Sequence, residues 1–428
     1  MDVPLLRRSL LVLGLSFAVP ALVLAPYLLA ETEFENNFVS SHQCAICHDS
    51  VFDAWYDTGH RKMMRPASDI EATHAQWGTH GQAPAFAQSE VAWIIGSKWE
   101  QQFMGQDGDH ETLLPGAWSM IDEKWAMVGW DGWQFPEPLK RCHGCHTVGL
   151  DVESGTFVEP GIGCESCHGP GEGHGLVHGS GGMQHGLDAD ICGQCHARGF
   201  SVTGEYFYPV AFLPGDKLTD HFRLVEPDYL QNSSQWWGTG RERDRHQQFQ
   251  TWRRGGHADA LLTLGNGYDG RFGEVSEDCF TCHSAEYAVY GDLARAKFEA
   301  PKLGITCAVC HNVHGNLESA RTACADCHSD GPFHHREVAM HEHVPCPESA
   351  AVTCVDCHMP ITVRIAGALR LRSHAPGITE PADAAHFNAP SSCANGGCHQ
   401  TASPEWLQAQ FDRFYRAPLQ AAADGSGS

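Results

Sequence analysis

Cys44-Ala45-Ile46-Cys47-His48 is the first of eight C-x-x-C-H runs in this chain of 428 residues, and its reading decides the rest. The other seven end in His146, His168, His196, His283, His311, His328 and His358. A shuffled chain of the same composition would hold roughly 0.05 such runs. Paired cysteines alone suit a disulfide framework, a zinc site or covalent haem attachment. Only haem attachment needs a histidine directly after every second cysteine. Two thiols that add across the two vinyl groups of a porphyrin must share one side of a short helical turn, at i and i+3. The histidine at i+4 then reaches the iron as proximal ligand.

The spacing thus assigns attachment to Cys44 and Cys47, Cys142 and Cys145, Cys164 and Cys167, Cys192 and Cys195, Cys279 and Cys282, Cys307 and Cys310, Cys324 and Cys327, and Cys354 and Cys357. A ninth run departs from the pattern. Cys393-Ala-Asn-Gly-Gly-Cys398-His399 has four residues between its cysteines, and its glycines allow the extra residues to loop out. A Cys393–Cys398 disulfide is the competing reading. With His399 as the ninth proximal ligand, the expectation is about nine haems c, numbered here as sites 1 to 9 in chain order. Of the 19 cysteines, Cys346 is left over and reads as a lone thiol with a packing role.

Haem attachment implies export, so the N-terminus gains meaning. Arg7-Arg8 precede Ser9–Ala30, 22 residues without a charge, and Glu31, Glu33 and Glu35 follow. Residues 1–30 therefore read as a signal peptide or as a retained N-terminal membrane anchor, and both readings stand. The expected location is periplasmic or extracellular. Net charge is −24. Such a surface repels nucleic acid and favours basic patches on other redox proteins, whether cytochromes or membrane quinol-linked complexes. An oligomer is compatible with the same composition.

The fold class expected is mainly α with much irregular structure, organised by haem, with small β elements in the haem-poor segments. After residues 1–30 the chain divides into an N-terminal haem region, 31–200, with four sites and a Trp-rich insertion at 61–141. A haem-poor linker, 201–278, leads to a C-terminal haem region, 279–428, with five. The insertion holds seven of the 12 tryptophans, and Val91–Ile95 within it reads as a strand. Two uses of the insertion compete: packing of aromatics over haem edges, or a docking and access surface. A helix is expected from about Arg243 to Arg254.

Nine proximal histidines leave 19 of the 28, so a second histidine is the expected distal ligand at most sites. His60, His174, His257, His314 and His374 have the strongest local context, in Gly-His or Ser-His settings or, for His314, three residues beyond a proximal ligand. That spacing is too short for the same iron and suits a neighbour. His386, His246, His335 and His42 are further candidates. His178, His185, His341 and His343 read as surface residues.

The run Cys164-Glu-Ser-Cys-His-Gly-Pro-Gly-Glu-Gly-His174 resembles a haem segment of the cytochrome family that includes the tetrahaem electron acceptor of hydroxylamine oxidoreductase and the octahaem tetrathionate and nitrite reductases. Cys44 to His60 and Cys354-Val-Asp-Cys-His-Met-Pro360 with His374 are similar to it too. The resemblance covers about half the chain and implies closely packed haem pairs, with His60, His174 and His374 as distal ligands. The reductases carry a C-x-x-C-K site, which this chain lacks. Electron transfer along mostly six-coordinate haems, with no catalytic residue, is therefore the leading expectation. A reductase of nitrogen or sulfur oxyanions at one five-coordinate haem, and a subunit of an extracellular cytochrome filament, are the alternatives.

Overall fold

Among the described residues, short helical turns, one five-stranded antiparallel sheet and three two-stranded ones set the architecture, with long irregular segments between them. The computed structural model describes residues 37–417 apart from 70, 79–83, 109, 127–136, 178–182, 228, 230, 266–276, 316–323, 329–351, 366–367 and 396–397. The proposed signal or anchor, Trp130, Trp133, His178, His335, His341, His343 and Cys346 therefore lie outside the described residues. From Phe38 onward the chain forms one compact unit. Among the described residues no helix is long and apolar enough to cross a membrane.

The Trp-rich insertion builds a five-stranded meander: β1 (Met64–Pro66), β2 (Val91–Ile95), β3 (Glu100–Asp107), β4 (His110–Ser119) and β5 (Lys124–Ala126). All its pairings are antiparallel. Gly96 makes the β2–β3 turn possible: its φ is +94°, and a Cβ there would sit 2.3 Å from the Glu100 carbonyl oxygen. Side-chain alternation gives the sheet two apolar faces. On one, Ile94 pairs with Phe103 and Trp118 with Trp125, and these four pack with Phe86 and Trp77 into an aromatic cluster. Trp77 meets Trp125 edge-on, with centroids 5.2 Å apart. On the other face, Met64, Ile95, Met104 and Leu113 pack with Trp93 and Phe157 against Cys142 of site 2. The strand expected at Val91–Ile95 is present, within a larger sheet than small β elements suggested. Its second face is the wall of an attachment site.

The attachment turns are themselves short helices, including Glu165–His168, Ala189–His196, Glu277–His283, Cys307–Cys310, Cys324–Cys327 and Cys354–His358. Asp188 caps Ala189–His196 by accepting from the Asp190 amide at 3.1 Å. Thr353 and Asp356 form a capping box over Cys354–His358. The turns need small residues where they press on the core. A Cβ on Gly144 would meet the Tyr208 ring at 2.0 Å, and one on Gly193 would meet Leu218 at 2.6 Å. Ala189–His196 packs beside Gln248–Arg253 around Leu218, Phe222 and Phe249. The second helix is shorter than expected, because Arg241–Asp244 are drawn into bonds with neighbouring segments before it begins.

Candidate haem sites

No disulfide joins any of the 18 cysteines of the nine runs. Among the described residues no three His, Cys, Asp or Glu side chains gather into a common ion site. What the turns do instead is set histidines opposite one another. The His48 and His174 ring centres lie 6.4 Å apart, with planes 15° from parallel. His168 and His314 lie 5.9 Å apart, also at 15°. His196 faces His60 at 6.3 Å, His311 faces His374 at 6.1 Å, and His328 faces His257 at 6.0 Å. Two imidazoles on opposite sides of one metal, with bonds of about 2 Å, would place ring centres roughly 6 Å apart. The residues present therefore fit an iron between each pair.

Two further features suit ligation. His168 and His283 set Nδ1 against the carbonyl oxygens of Gln184 and Ala260, at 2.6 and 2.9 Å. Such a bond fixes the ring and leaves Nε2 with its lone pair. Burial lowers the pKa of His60, His196, His257 and His374, to about 4 for His196, so these rings are neutral at pH 7, the form that binds metal.

The five best-supported distal candidates are thus each set against a proximal histidine, and in each case that histidine belongs to a different attachment turn from the one nearest in sequence. The others are placed differently. His246 has its ring 6.3 Å from His196 and its Nδ1 3.1 Å from the Cys195 carbonyl. It shares His196 with His60, so only one of the two can lie trans to it on one iron. His42 is exposed and tilts against Phe52, and His386 packs edge-on against Phe387. His185, read as a surface residue, stacks its edge on Phe298 at 4.9 Å. His146, His283 and His399 make no ring contact of this kind with another histidine among the described residues. Burial brings the His146 pKa down to about 4, and the His399 ring sits 5.4 Å from Trp406.

Cysteines of different runs touch, which orders the sites in space. The side chains of Cys44 and Cys164 lie close enough to interact, as do those of Cys145 and Cys195, Cys192 and Cys307, Cys282 and Cys327, and Cys324 and Cys354. Cys167 and Cys192, and Cys310 and Cys324, are near enough to perturb each other electrostatically. Asn395, inside the ninth run, exchanges bonds of 2.7 and 2.8 Å with the Ile361 backbone just beyond site 8. The turns that carry the runs therefore adjoin in the order 1, 3, 4, 6, 7, 8, 9, with the second beside the fourth and the fifth beside the seventh. A cavity of 360 Å³ lies between Tyr229, Thr239, Arg241, Thr379 and Phe387, and none of the nine proximal histidines lines it.

Spacing gave no sign of three buried glutamates. Glu165, inside the site 3 turn, is fully buried. Glu242 is 1% exposed and accepts from Thr251 Oγ1, Ser373 Oγ and the His374 amide at 2.5–2.8 Å. Glu286 accepts from Ser284 Oγ and the Lys302 amide.

Residues 123–169 and 244–312 match the family model described as cytochrome c554 and c-prime. The outer cell wall cytochrome OcwA has a similar structure, with a TM-score of 0.74 and 27% identity over 92% of each chain. An undecahaem cytochrome from the S-layer of Carboxydothermus ferrireducens shares the fold at a TM-score of 0.54 and 20% identity, over 93% of this chain and 63% of that one. No curated protein matches. In its attachment turns and in its whole fold, the chain is similar to multihaem c-type cytochromes, and covalently bound haem c is what that similarity implies.

Proposed function

We propose that this chain is an exported electron carrier with nine haems c, one at each attachment site, most of them held by histidine on both faces. The observation that carries the reading is the set of five histidine pairs at 5.9–6.4 Å. Haem c supplies a reversible one-electron couple that protein side chains lack. The chain's own residues do the rest. Cysteine pairs fix each site covalently, and the packing that brings the turns of different runs together keeps sites adjacent. A second imidazole closes the remaining axial position to substrates and lowers the potential relative to methionine. The adjacency supports a path along sites 1, 3, 4, 6, 7, 8 and 9, with sites 2 and 5 as side branches.

The net charge of −24 suits basic docking patches on other redox proteins. The wall and S-layer settings of the two similar cytochromes favour a place outside the cytoplasm, with residues 1–30 as export signal or anchor. Electron transfer from the reduced protein to a basic cytochrome should slow as salt rises from 0.01 to 0.5 M, since the Debye length falls from about 30 Å to well under 10 Å. A salt-independent rate would contradict docking by the acidic surface.

A reductase is the second reading, and one observation favours it. His146 faces no second imidazole among the described residues, and its site is walled by the five-stranded sheet through Cys142. Carbon monoxide added to the reduced protein binds an open iron only. Sustained consumption of nitrite, hydroxylamine or tetrathionate, faster than by free haem, would replace the carrier reading with the reductase.

The ninth site is tested by intact mass. The matured protein should carry nine haem masses, and Cys393→Ala/Cys398→Ala should carry eight. Eight in the parent protein would return Cys393 and Cys398 to the disulfide reading.

A further inference from the structure

We propose that Glu165 is a positioning residue for site 1, holding the arm that brings His48 and the arm that brings His174 in one fixed relation. The proposal rests on the reading of those two histidines as the axial ligands of site 1. Glu165 lies in the attachment turn of site 3, yet its bonds go elsewhere. Oε1 accepts from the Val39 amide at 2.9 Å and from the Gly171 amide at 2.8 Å. Oε2 accepts from the Ser40 amide at 2.9 Å. Val39 and Ser40 lead directly into Ser41–Cys44 and so into His48. Gly171 opens the turn into Glu172–Val177, which carries His174. One carboxylate thus ties both arms.

The surroundings leave it no other role in view. Glu165 is 0% exposed, so its charge stays buried only because three amides donate to it. A Cβ on Gly171 would press on Glu165 Oε1 at 3.2 Å and on Val39 at 3.1 Å, so the glycine lets the two arms close on the carboxylate. A second link reinforces the first. Glu159 accepts from Ser40 Oγ and Ser41 Oγ, and Ser41 Oγ accepts from the Cys164 amide at 2.9 Å. The proximal arm of site 1 is therefore clamped to the attachment turn of site 3, whose Cys164 touches Cys44.

Glutamine at this position keeps the shape but replaces one acceptor oxygen by an NH₂ donor. That donor would face the Val39 and Gly171 amides if it replaced Oε1, or the Ser40 amide if it replaced Oε2, so the arm leading to His48 loses at least one bond in either case. The test compares electron paramagnetic resonance of oxidised wild type, Glu165→Gln, His174→Ala and the double variant, with intact mass read on each. Glu165→Gln and His174→Ala are each expected to convert one haem from low-spin to high-spin, and the double variant should convert no more than one. All four should keep the full haem mass. If His174→Ala converts a haem while Glu165→Gln leaves every signal unchanged, ligation stands and the positioning role falls. If His174→Ala changes nothing, the ligation reading falls and takes the proposal with it. Two haems converted in the double variant, or a haem mass lost from Glu165→Gln, would also overturn it, because Glu165 would then serve a different site or its own.

Discussion

Replacing His314 by alanine should convert one low-spin haem to high-spin and open one new carbon monoxide site in the reduced protein. His314 sits three residues past His311, too near in sequence to close the same iron. Its ring instead lies 5.9 Å from His168, with planes 15° from parallel. His168 is itself fixed by its Nδ1 bond to the Gln184 carbonyl. The site losing its ligand is therefore site 3, which lies between sites 1 and 4 on the proposed path. Electron flow from site 1 to the far end should slow as well, because an open iron has a higher potential and acts as a trap. Unchanged spectra would remove His314 from the ligand set.

The second large effect is expected at Glu242. Alanine there leaves the Ser373 hydroxyl and the His374 amide without their acceptor, at about 1–3 kcal/mol for each buried group, while the Thr251 hydroxyl keeps the Gln247 and Gln248 carbonyls. It also removes the carboxylate whose charge favours the Arg241 guanidinium. Arg241 donates to Ser373 Oγ and to the Ala375 and Gly377 carbonyls, so the His374 turn hangs from these two neighbours. The denaturant midpoint, followed by far-ultraviolet circular dichroism, should fall accordingly, and the haem facing His311 should lose its low-spin signature. Glu242→Gln should fall less, since it keeps one acceptor. An unchanged midpoint in Glu242→Ala would show that the turn is held by other contacts.

Local chemistry was legible in the sequence and long-range pairing was not. A C-x-x-C-H run is a self-contained turn, so the short helices that carry the paired cysteines follow from spacing alone. Gly-His and Ser-His settings picked out His60, His174, His257 and His374, and the three-residue step from His311 picked out His314. Which proximal histidine each one faces depends on how distant segments pack, and no spacing encodes it: His60, just after site 1, ends at His196. The β-branched run Val91–Ile95 announced its strand. Glu100–Asp107, with three glutamines, did not, because its place is set by cross-strand partners such as Ile94 and Leu113 rather than by propensity. The helix expected from Arg243 begins only at Gln248, since tertiary bonds to Arg243 and its neighbours override the local preference. Buried glutamates leave no mark in a charge count, and Glu165 looks like any acidic residue between two cysteines.

Near-infrared magnetic circular dichroism of the fully oxidised, matured protein distinguishes haems with two imidazole ligands from all others and counts them. Five histidine pairs lie at the separation an iron would occupy. The expected result is at least five haems with two histidine ligands, and none of these five sites should change when carbon monoxide is added after reduction. A count below five would contradict the account at its root, since the five facing histidine pairs would then not be the ligand pairs it proposes.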